Sequence, residues 1–486
     1  MKFKALCLYA EPNAVDVVEH YNVNGASVYI TTDARYLVVE PELNNDAHEI
    51  YSKMMEVLFY SLKPLRQSPD PVSYIEEHIW NEAEDLAIVD KVKNVFEQLR
   101  YYLVRDVVGY GIIDVLMKDD DVEEVTCERY DRNVGVIHRR YTERSILDTN
   151  IMFGTVDAMN SYIQRIMQKT GKSVTAAVPL MDAVTKEGDR IMVTYASEVS
   201  LPGPTISIRK FPRTLYTITH LLKFNTISKL MAAYLWTLLD AKAFGLVVGE
   251  TSAGKTTIIN SLMGLTNPRW KVVTIEETPE LQIPHYRWQR LFTRSSPMIT
   301  ESKFDVNVMD LIKASLRMRP DFEIVGEVRG EEAYALFQSA ATGHGGLTTL
   351  HASSAEAALG RLSSEPINIK TSQQMLLWFI LHITRVKAMD GRVVRRVVSV
   401  KEVVPRQDSV ELVEVFRYIP KEDRFEPGDI KELVQRSARL NQAGHILNID
   451  PLADLQRRIS LLDKCVENAT TVQEVFSILG RYYSES

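Results

Sequence analysis

The sequence predicts an α/β fold in which a parallel sheet flanked by helices follows a smaller α+β domain. After residue 227, short apolar strands such as FGLVV and FEIV alternate with helical segments, which is typical of a parallel sheet. A glycine-rich turn, GETSAGKT at 249–256, joins the first of these strands to a helix. Before residue 212, short alternating strands surround one helical segment, 156–168, and this indicates an α+β unit.

Composition excludes several classes of protein. The 486 residues are 45% hydrophobic and 25% charged, as in an ordinary globular protein, and 57 basic against 64 acidic side chains give a net charge of −7. That balance argues against a stable nucleic-acid partner. Three distant cysteines without a CxxC pair argue against a disulfide scaffold or a structural zinc site. The most apolar run, 375–383, is about half of a membrane span. We therefore expect a cytoplasmic protein.

The first part of the chain divides into two expected units. In 1–70, the segments ASVYITTD and RYLVVEPE alternate like a strand pair, and DAHEIYSKMMEVLFYSL has helical spacing. The polar, proline-containing RQSPDPVS follows as a linker. In 71–211, two successive helices over 74–110 precede the strands VGVIHRRY, DRIMVTYA and TISIRKF. We expect this second unit to be the N-terminal α+β domain proper.

The remaining chain is expected to be a connection, 212–226, and a C-terminal domain, 227–486. The connection contains Pro212 and several β-branched residues. The last 60 residues are predicted to be helical: Asp450 can cap a helix that begins at a proline, and Thr471 with Glu474 has the spacing of a capping box.

The turn at 249–256 matches G-x-x-x-x-G-K-[ST] between a strand and a helix, which is the context that the phosphate-binding P-loop requires. Its backbone N–H groups and the helix N-terminus favour phosphate oxygens. Lys255 is predicted to bind the β- and γ-phosphates of ATP, and the Thr256 hydroxyl to bind Mg²⁺. The predicted nucleotide-binding residues here are Gly249, Thr251, Ser252, Ala253, Gly254, Lys255, Thr256 and Thr257.

Acidic residues end two further strands. Glu276 and Glu277 follow KVVTI, and a carboxylate at that edge of an open α/β sheet can polarise the attacking water; which of the two does so stays open. Glu327 ends FEIVG and is predicted to hold Mg²⁺ or position the nucleophile. Arg317 and Arg319 precede that strand and are candidates for neutralising transition-state charge.

Two histidines, His344 and His351, flank the strand LTTL. With three glycines nearby, they suggest contact with the γ-phosphate, and metal binding is disfavoured because no third ligand lies close in the sequence.

The order of these four motifs resembles the secretion-type ATPases of type II secretion, type IV pili and the archaellum, and most of all their archaeal branch. The strings that carry this resemblance include VGYGIIDVLMKDDDVEEVTCE, IEETPEL, LRMRPDFEIVGEVRGEE and ATGHGGLTTLHASS, within 99–362. The resemblance implies a RecA-like P-loop ATPase domain in a ring-forming homohexamer. It also implies that Mg-ATP hydrolysis acts on an integral membrane platform protein from the cytoplasmic face of the membrane.

The resemblance also implies residue roles. Glu276 falls on the family's general base, Glu327 on its Walker B glutamate, and His344 with His351 on its His box. Arg190 and Arg209 fall on arginines of the N-terminal domain that close over nucleotide.

These features predict a motor ATPase that assembles a type IV pilus-like or archaellum filament, or drives type II-like secretion. One alternative is a type IV secretion ATPase that moves DNA or protein. A RecA-like helicase is a more distant alternative, since no aromatic–basic cluster of the kind that binds single strands is evident in the sequence. No second substrate pocket or lid signature favours a small-molecule kinase.

Overall fold

The computed structural model describes residues 16–61, 70–141, 145–211, 213, 215–294, 305–388 and 391–485. The chain divides into two units, Met1–Arg213 and Thr214–Ser486. None of the helices in the described ranges is long and apolar enough to cross a bilayer.

The N-terminal unit contains one nine-stranded sheet among its described residues, in the order β1-β2-β3-β6-β5-β4-β9-β8-β7. Its strands are β1 Val17–Val23, β2 Ala26–Thr31, β3 Arg35–Val39, β4 Val122–Cys127, β5 Asn133–His138, β6 Leu147–Met152, β7 Leu180–Val184, β8 Arg190–Thr194 and β9 Thr205–Arg209. Its helices are α1 Asn45–Ser61, α2 Pro71–Asp85, α3 Val89–Leu103, α4 Asp114–Lys118 and α5 Val156–Lys169. The predicted strand pair β2–β3, the helix pair α2–α3 and helix α5 are confirmed.

The expected boundary at residue 70 does not separate two folded bodies. β3 pairs in parallel with β6, so the first three strands belong to the same sheet as the strands of 122–209. Helix α1 packs with α2 and α3 around Met54, Ile79 and Leu99 in one apolar cluster. The pairing that joins β3 to β6 spans more than a hundred residues, and the local pattern of either strand carries no sign of it. Part of the expected linker, 66–69, lies outside the described residues.

The C-terminal unit also contains one nine-stranded sheet among its described residues, in the order β12-β11-β13-β14-β10-β15-β16-β17-β18. Its strands are β10 Phe244–Val248, β11 Lys271–Glu276, β12 Arg287–Phe292, β13 Phe322–Val325, β14 Gly345–Leu350, β15 Phe379–Lys387, β16 Val393–Pro405, β17 Val410–Ile419 and β18 Arg424–Glu426. Its helices are α6 Ile218–Lys223, α7 Lys229–Asp240, α8 Lys255–Met263, α9 Val308–Ser315, α10 Glu332–Ala341, α11 Ala355–Ser363, α12 Thr371–Gln374, α13 Ile430–Arg436, α14 Ala438–Leu447, α15 Pro451–Asn468 and α16 Val472–Glu485.

The first six strands in that order are parallel and form the predicted α/β core. All residues of β10 and β14 are buried, because helices cover both faces of a parallel sheet. The carboxyl ends of β10, β11, β13 and β14 therefore lie along one edge, and the segments that leave that edge carry the P-loop, Glu276, Glu327 and His351.

The structure adds an antiparallel extension that the sequence analysis did not predict. β16 pairs antiparallel with β15, and β17 and β18 continue the sheet. The second part of the apolar run, 379–383, thus forms the start of β15, where Phe379, Ile380 and Leu381 are fully buried. The segment expected as a connection contains α6, which packs Ile218 and Leu221 into the core of the C-terminal unit.

A buried ion cluster joins α15, one of the C-terminal helices, to α7. Arg458 of α15 donates from Nε to Asp454 (2.6 Å) and from Nη1 to Asp240 of α7 (2.7 Å). Its guanidinium also lies 4.5 Å from the ring centre of Trp236. Both helix starts predicted for this region are confirmed, with Asp450 capping α15 and Thr471 paired reciprocally with Glu474 at α16.

Candidate functional site: a P-loop at the carboxyl edge of the parallel sheet

The turn at 249–256 runs from the end of β10 to the start of α8 and depends on its first and last glycines. A Cβ on Gly249 would lie 2.2 Å from the Ile383 carbonyl oxygen of β15, so any larger residue would push the two strands apart. Gly254 has φ +101° and is the N-cap of α8. Because only glycine adopts that backbone conformation without strain, the chain can turn directly from the loop into the helix. The loop therefore presents the α8 N-terminus at the sheet edge.

Lys255 is held inside this loop. Its side chain is buried, and Nζ donates to the carbonyl oxygens of Gly249 (3.0 Å) and Glu250 (2.9 Å). The ammonium group at the end of the loop thus holds two carbonyl groups at its start. A phosphate bound in the loop would offer this buried cation a full negative charge in place of two neutral carbonyls.

Glu276 combines deep burial with one uncommitted oxygen. Its Oε1 accepts from the backbone N–H groups of Glu280 and Leu281, both at 2.8 Å, whereas Oε2 is buried without a hydrogen-bond partner. Burial raises the pKa of Glu276 to about 7 and outweighs the two backbone donors, which lower it. A carboxylate with this pKa accepts a proton efficiently near neutral pH, and Oε2 is the oxygen left to accept it. The neighbouring Glu277 is exposed.

Glu280 is a site residue that the sequence analysis missed. Its Oε2 accepts from the Thr256 hydroxyl at 3.2 Å, and its backbone N–H donates to Glu276. The predicted metal ligand Thr256 is therefore linked through Glu280 to Glu276. Glu280 stands four residues after Glu276 in IEETPE, and the bend at Glu277 and Thr278 brings it back. The signal was a third carboxylate in the same motif.

Glu327, His351 and Lys255 form a chain of polar contacts across two strand ends. Glu327 accepts from Arg329 Nη2 at 2.8 Å, and its other oxygen lies 3.3 Å from His351 Nε2. His351 Nδ1 lies 3.4 Å from Lys255 Nζ. The neutral imidazole with its proton on Nε2 fits both contacts, since it accepts from the lysine and donates to the carboxylate.

Burial and the neighbouring charges explain the protonation states of His351 and Glu327. Burial, together with the positive charge of Lys255, lowers the pKa of His351, which favours the neutral ring. For Glu327, burial pushes the pKa upward, but the hydrogen bond from Arg329 and the nearby cations bring it below its ordinary value. Glu327 is consequently ionised at neutral pH, as the role predicted for it requires.

The oxygen donors fit Mg²⁺ bound mainly through phosphate and water. Thr256 and Glu280 supply a hydroxyl and a carboxylate in contact, both hard ligands. Among the described residues, no cluster of three or more acidic, histidine or cysteine side chains could cage a metal by itself. Mg²⁺ commonly keeps several waters and shares substrate phosphates, so one hydroxyl and one carboxylate suffice. Glu327, the other predicted ligand, has its oxygens on Arg329 and His351.

Three predicted residues lie at the opposite edge of the same sheet. His344 precedes β14, whereas His351 follows it, so the strand's six residues separate them by about 20 Å. His344 Nδ1 instead pairs with the Thr342 hydroxyl at 2.8 Å. Arg317 and Arg319 are exposed before β13, which starts level with β14. Within one subunit, the structure does not bring these three side chains to the P-loop.

Two predicted arginines belong to the N-terminal unit. Arg190 of β8 and Arg209 of β9 lie directly opposite each other in the antiparallel register, and both are exposed. On the other side of β9, Glu124 of β4 is opposite Arg209. Two like charges side by side on a sheet are unfavourable unless an anion binds them.

The other predicted loop residues lie within or just after the P-loop. Ser252 has φ +60°, Ala253 is buried beneath the loop, Thr251 is exposed, and Thr257 lies in the first turn of α8.

Residues 115–403, more than half of the chain, match the family model described as type II/IV secretion system protein. An uncharacterized protein of Methanocaldococcus jannaschii is 31% identical over 417 residues, which cover 81% of this chain and 74% of that protein. Type IV secretion system protein PtlH of Bordetella pertussis is 29% identical over 231 residues, covering 43% and 68%. The ATPase DotB of Legionella pneumophila aligns with a TM-score of 0.41 and 17% identity over 75% of this chain and 88% of that one.

Proposed function

Because the chain belongs to the type II/IV secretion system protein family, we propose that it is a hexameric motor that couples ATP hydrolysis to assembly of a pilus-like or archaellum filament, or to type II-like secretion. In this proposal it works at the cytoplasmic face of the membrane, on an integral membrane platform protein. The four nucleotide motifs all fall within the residues that match the family.

The observation that supports this proposal best is the contact chain at the carboxyl edge of the sheet. One buried lysine in the P-loop touches the histidine that follows β14, and that histidine touches the acid that follows β13. A change at the phosphate end, such as loss of the γ-phosphate, would alter the charge that Lys255 faces. The contacts of His351 and Glu327 would then change with it, which is how a hydrolysis site transmits its state to neighbouring strands.

For hydrolysis, we assign the steps to this chain's own residues. Lys255 and the N–H groups at the start of α8 bind the phosphates, and Thr256 with Glu280 is in place to hold Mg²⁺, which would neutralise charge on the β- and γ-oxygens. The free Oε2 of Glu276 accepts a proton from the attacking water. The contacts of Glu327 and His351, which follow β13 and β14, change when the γ-phosphate is lost.

For the coupling step, we propose that Arg190 and Arg209 bind phosphate oxygens when nucleotide is present. Their side-by-side placement on β8 and β9 supports this, because two like charges directly opposite repel each other and Glu124 lies opposite Arg209 only. Release of γ-phosphate would loosen that contact, and the N-terminal unit would move. Six subunits doing this in turn would drive the platform protein.

The proposal has two direct tests on the purified full chain. First, Mg-ATP hydrolysis is measured for the parent and for K255A, which lacks the buried ammonium group; the parent should hydrolyse ATP, and the variant should not. Second, each polytopic membrane protein encoded beside the gene is used as bait. One of them should retain the chain and change its hydrolysis rate. Hydrolysis without any such partner effect would leave an ATPase but remove the motor assignment.

A type IV secretion ATPase that moves DNA or protein is the second candidate, and the similarity to PtlH favours it. Neighbouring genes separate the two candidates, because prepilin-like genes accompany a filament and relaxase or coupling genes accompany conjugation. Stimulation of hydrolysis by single-stranded DNA would instead support a helicase.

A further inference from the structure

The hairpin formed by β15 and β16 places a cation directly on the P-loop. Arg395 of β16 donates from Nε to the Ser252 carbonyl oxygen at 3.3 Å. Its Cδ lies 3.4 Å from the position that a Cβ on Gly254 would occupy. The carbonyl of Ile383, on β15, closes against Gly249. The hairpin thus contacts the loop at its first glycine, in its middle and at the N-cap of α8.

The electrostatic setting of Arg395 is unfavourable in the absence of an anion. The N-terminus of α8 carries a partial positive charge, and a cation beside it is repelled. Arg385 of β15 lies directly opposite Arg395 in the strand register, so a second guanidinium shares that face of the hairpin. Among the described residues, neither arginine forms an ion pair with a carboxylate. Two positive features, Arg395 and the α8 N-terminus, therefore meet at the loop, with Arg385 opposite Arg395 on the neighbouring strand.

The next residue shows what a purely structural arginine looks like in this hairpin. Arg396 is buried, pairs with both oxygens of Asp423 at 2.8 and 3.0 Å, and donates to the Phe224 carbonyl at 2.9 Å. Its charge is neutralised inside the fold. Arg395 uses a single donor on a neutral carbonyl, and a guanidinium has five N–H donors.

We propose that Arg395 is a further nucleotide-binding residue, which holds the Ser252–Gly254 arch with Nε and donates from its Nη atoms to phosphate oxygens of the bound nucleotide. This inference rests on the proposed ATPase function. The phosphates of the nucleotide supply the negative charge that balances Arg395, Arg385 and the α8 N-terminus. Affinity for the phosphates then depends on a residue of β16, about 140 positions beyond the P-loop in the sequence.

The test is a fluorescence titration of the full chain with a fluorescent ADP, comparing the parent with R395Q, R395K and R417Q. Arg417 is exposed on β17 and pairs with Glu426, so R417Q makes the same charge change away from the loop. We expect R395Q to bind ADP about tenfold more weakly, R395K to stay within about threefold of the parent, and R417Q to match it. Adenosine, which has no phosphates, should bind R395Q and the parent equally. In hydrolysis, R395Q should raise KM for ATP and leave kcat within about twofold.

Two results would overturn the inference while the parent still binds ADP. One is R395Q binding ADP as tightly as the parent. The other is R395Q and R395K losing affinity equally with a lowered midpoint of thermal unfolding, which would make Arg395 a support for the loop only. If the parent itself binds neither ADP nor ATP, the proposed function fails, and that failure is distinct from both results.

Discussion

Replacing Glu276 with glutamine tests the proposed base and the buried charge in a single variant. Glutamine keeps one carbonyl oxygen for the two backbone N–H groups of Glu280 and Leu281 and removes the ability to accept a proton. Loss of a general base typically costs about 10²- to 10⁴-fold in rate. We therefore expect kcat of E276Q at saturating Mg-ATP to fall by about that factor, with little change in nucleotide affinity.

The same substitution has a calculable effect on stability. Burial raises the pKa of Glu276 from 4.5 to about 7, so the folded chain holds this proton more tightly than the unfolded chain does. A difference of about 2.5 pKa units corresponds to about 3 kcal/mol. The sign is destabilising: the penalty is absent below pH 4.5, grows as the pH rises, and is complete above about 7.

Glutamine removes that penalty but buries an amide NH₂ where Oε2 has no partner, at a cost of about 1–3 kcal/mol. At pH 8, E276Q should therefore be as stable as the parent or up to about 2 kcal/mol more stable. Urea unfolding at pH 5 and pH 8 measures this difference.

The pH dependence of hydrolysis completes the test. In the parent, kcat should rise through a pKa near 7 as Glu276 loses its proton, and E276Q should lack that limb. E277Q is the control, because Glu277 is exposed: this variant should keep both the hydrolysis rate and the rise of kcat with pH. If E276Q hydrolyses ATP as fast as the parent, or if E277Q is the inactive variant, the assignment of the base is refuted.

Further predictions concern the other contacts. H351A should lower kcat about tenfold with KM nearly unchanged, because it breaks the contacts that link Lys255 to Glu327. H344A should keep the parent kcat. Equal effects of the two variants in steady-state assays would contradict the placement of these histidines at opposite ends of β14. E280Q should raise the Mg²⁺ concentration for half-maximal hydrolysis about tenfold, and an unchanged magnesium titration would remove Glu280 from the site. R458M should lower the free energy of unfolding by about 3–5 kcal/mol in urea, since it leaves two buried carboxylates unpaired; a loss below about 1 kcal/mol would contradict the buried cluster.

Elements whose signal is local could be predicted from the sequence. The strand–loop–helix of the P-loop, the parallel core strands and the caps at Asp450 and Thr471 all follow from neighbouring residues, and the structure has them where the patterns indicated. The antiparallel extension could not be predicted, because an apolar run such as 375–383 is compatible with a buried strand and with a helix. Glu280 could not be recognised either, because the bend that brings this side chain to Thr256 is visible only in three dimensions.

Pairings between residues far apart in the sequence could not be predicted either. The stretch expected as a separate unit, 1–70, shares a sheet with later strands through the pairing of β3 with β6. Arg395 stands in a run of valines and arginines that resembles any solvated strand, and only the register of β15 and β16 brings it onto the loop.

The sequence by itself determined the family, the fold class and the phosphate-binding loop, because each rests on residue types at fixed spacing within one segment. Only the tertiary structure decided which side chains share the site. Parallel strands gather their carboxyl ends at one edge, so His351 and Glu327 join Lys255 there, and the amino ends hold His344 and Arg317 at the other. Burial, which no local pattern measures, then set the pKa of Glu276 near neutrality and left one of its oxygens available.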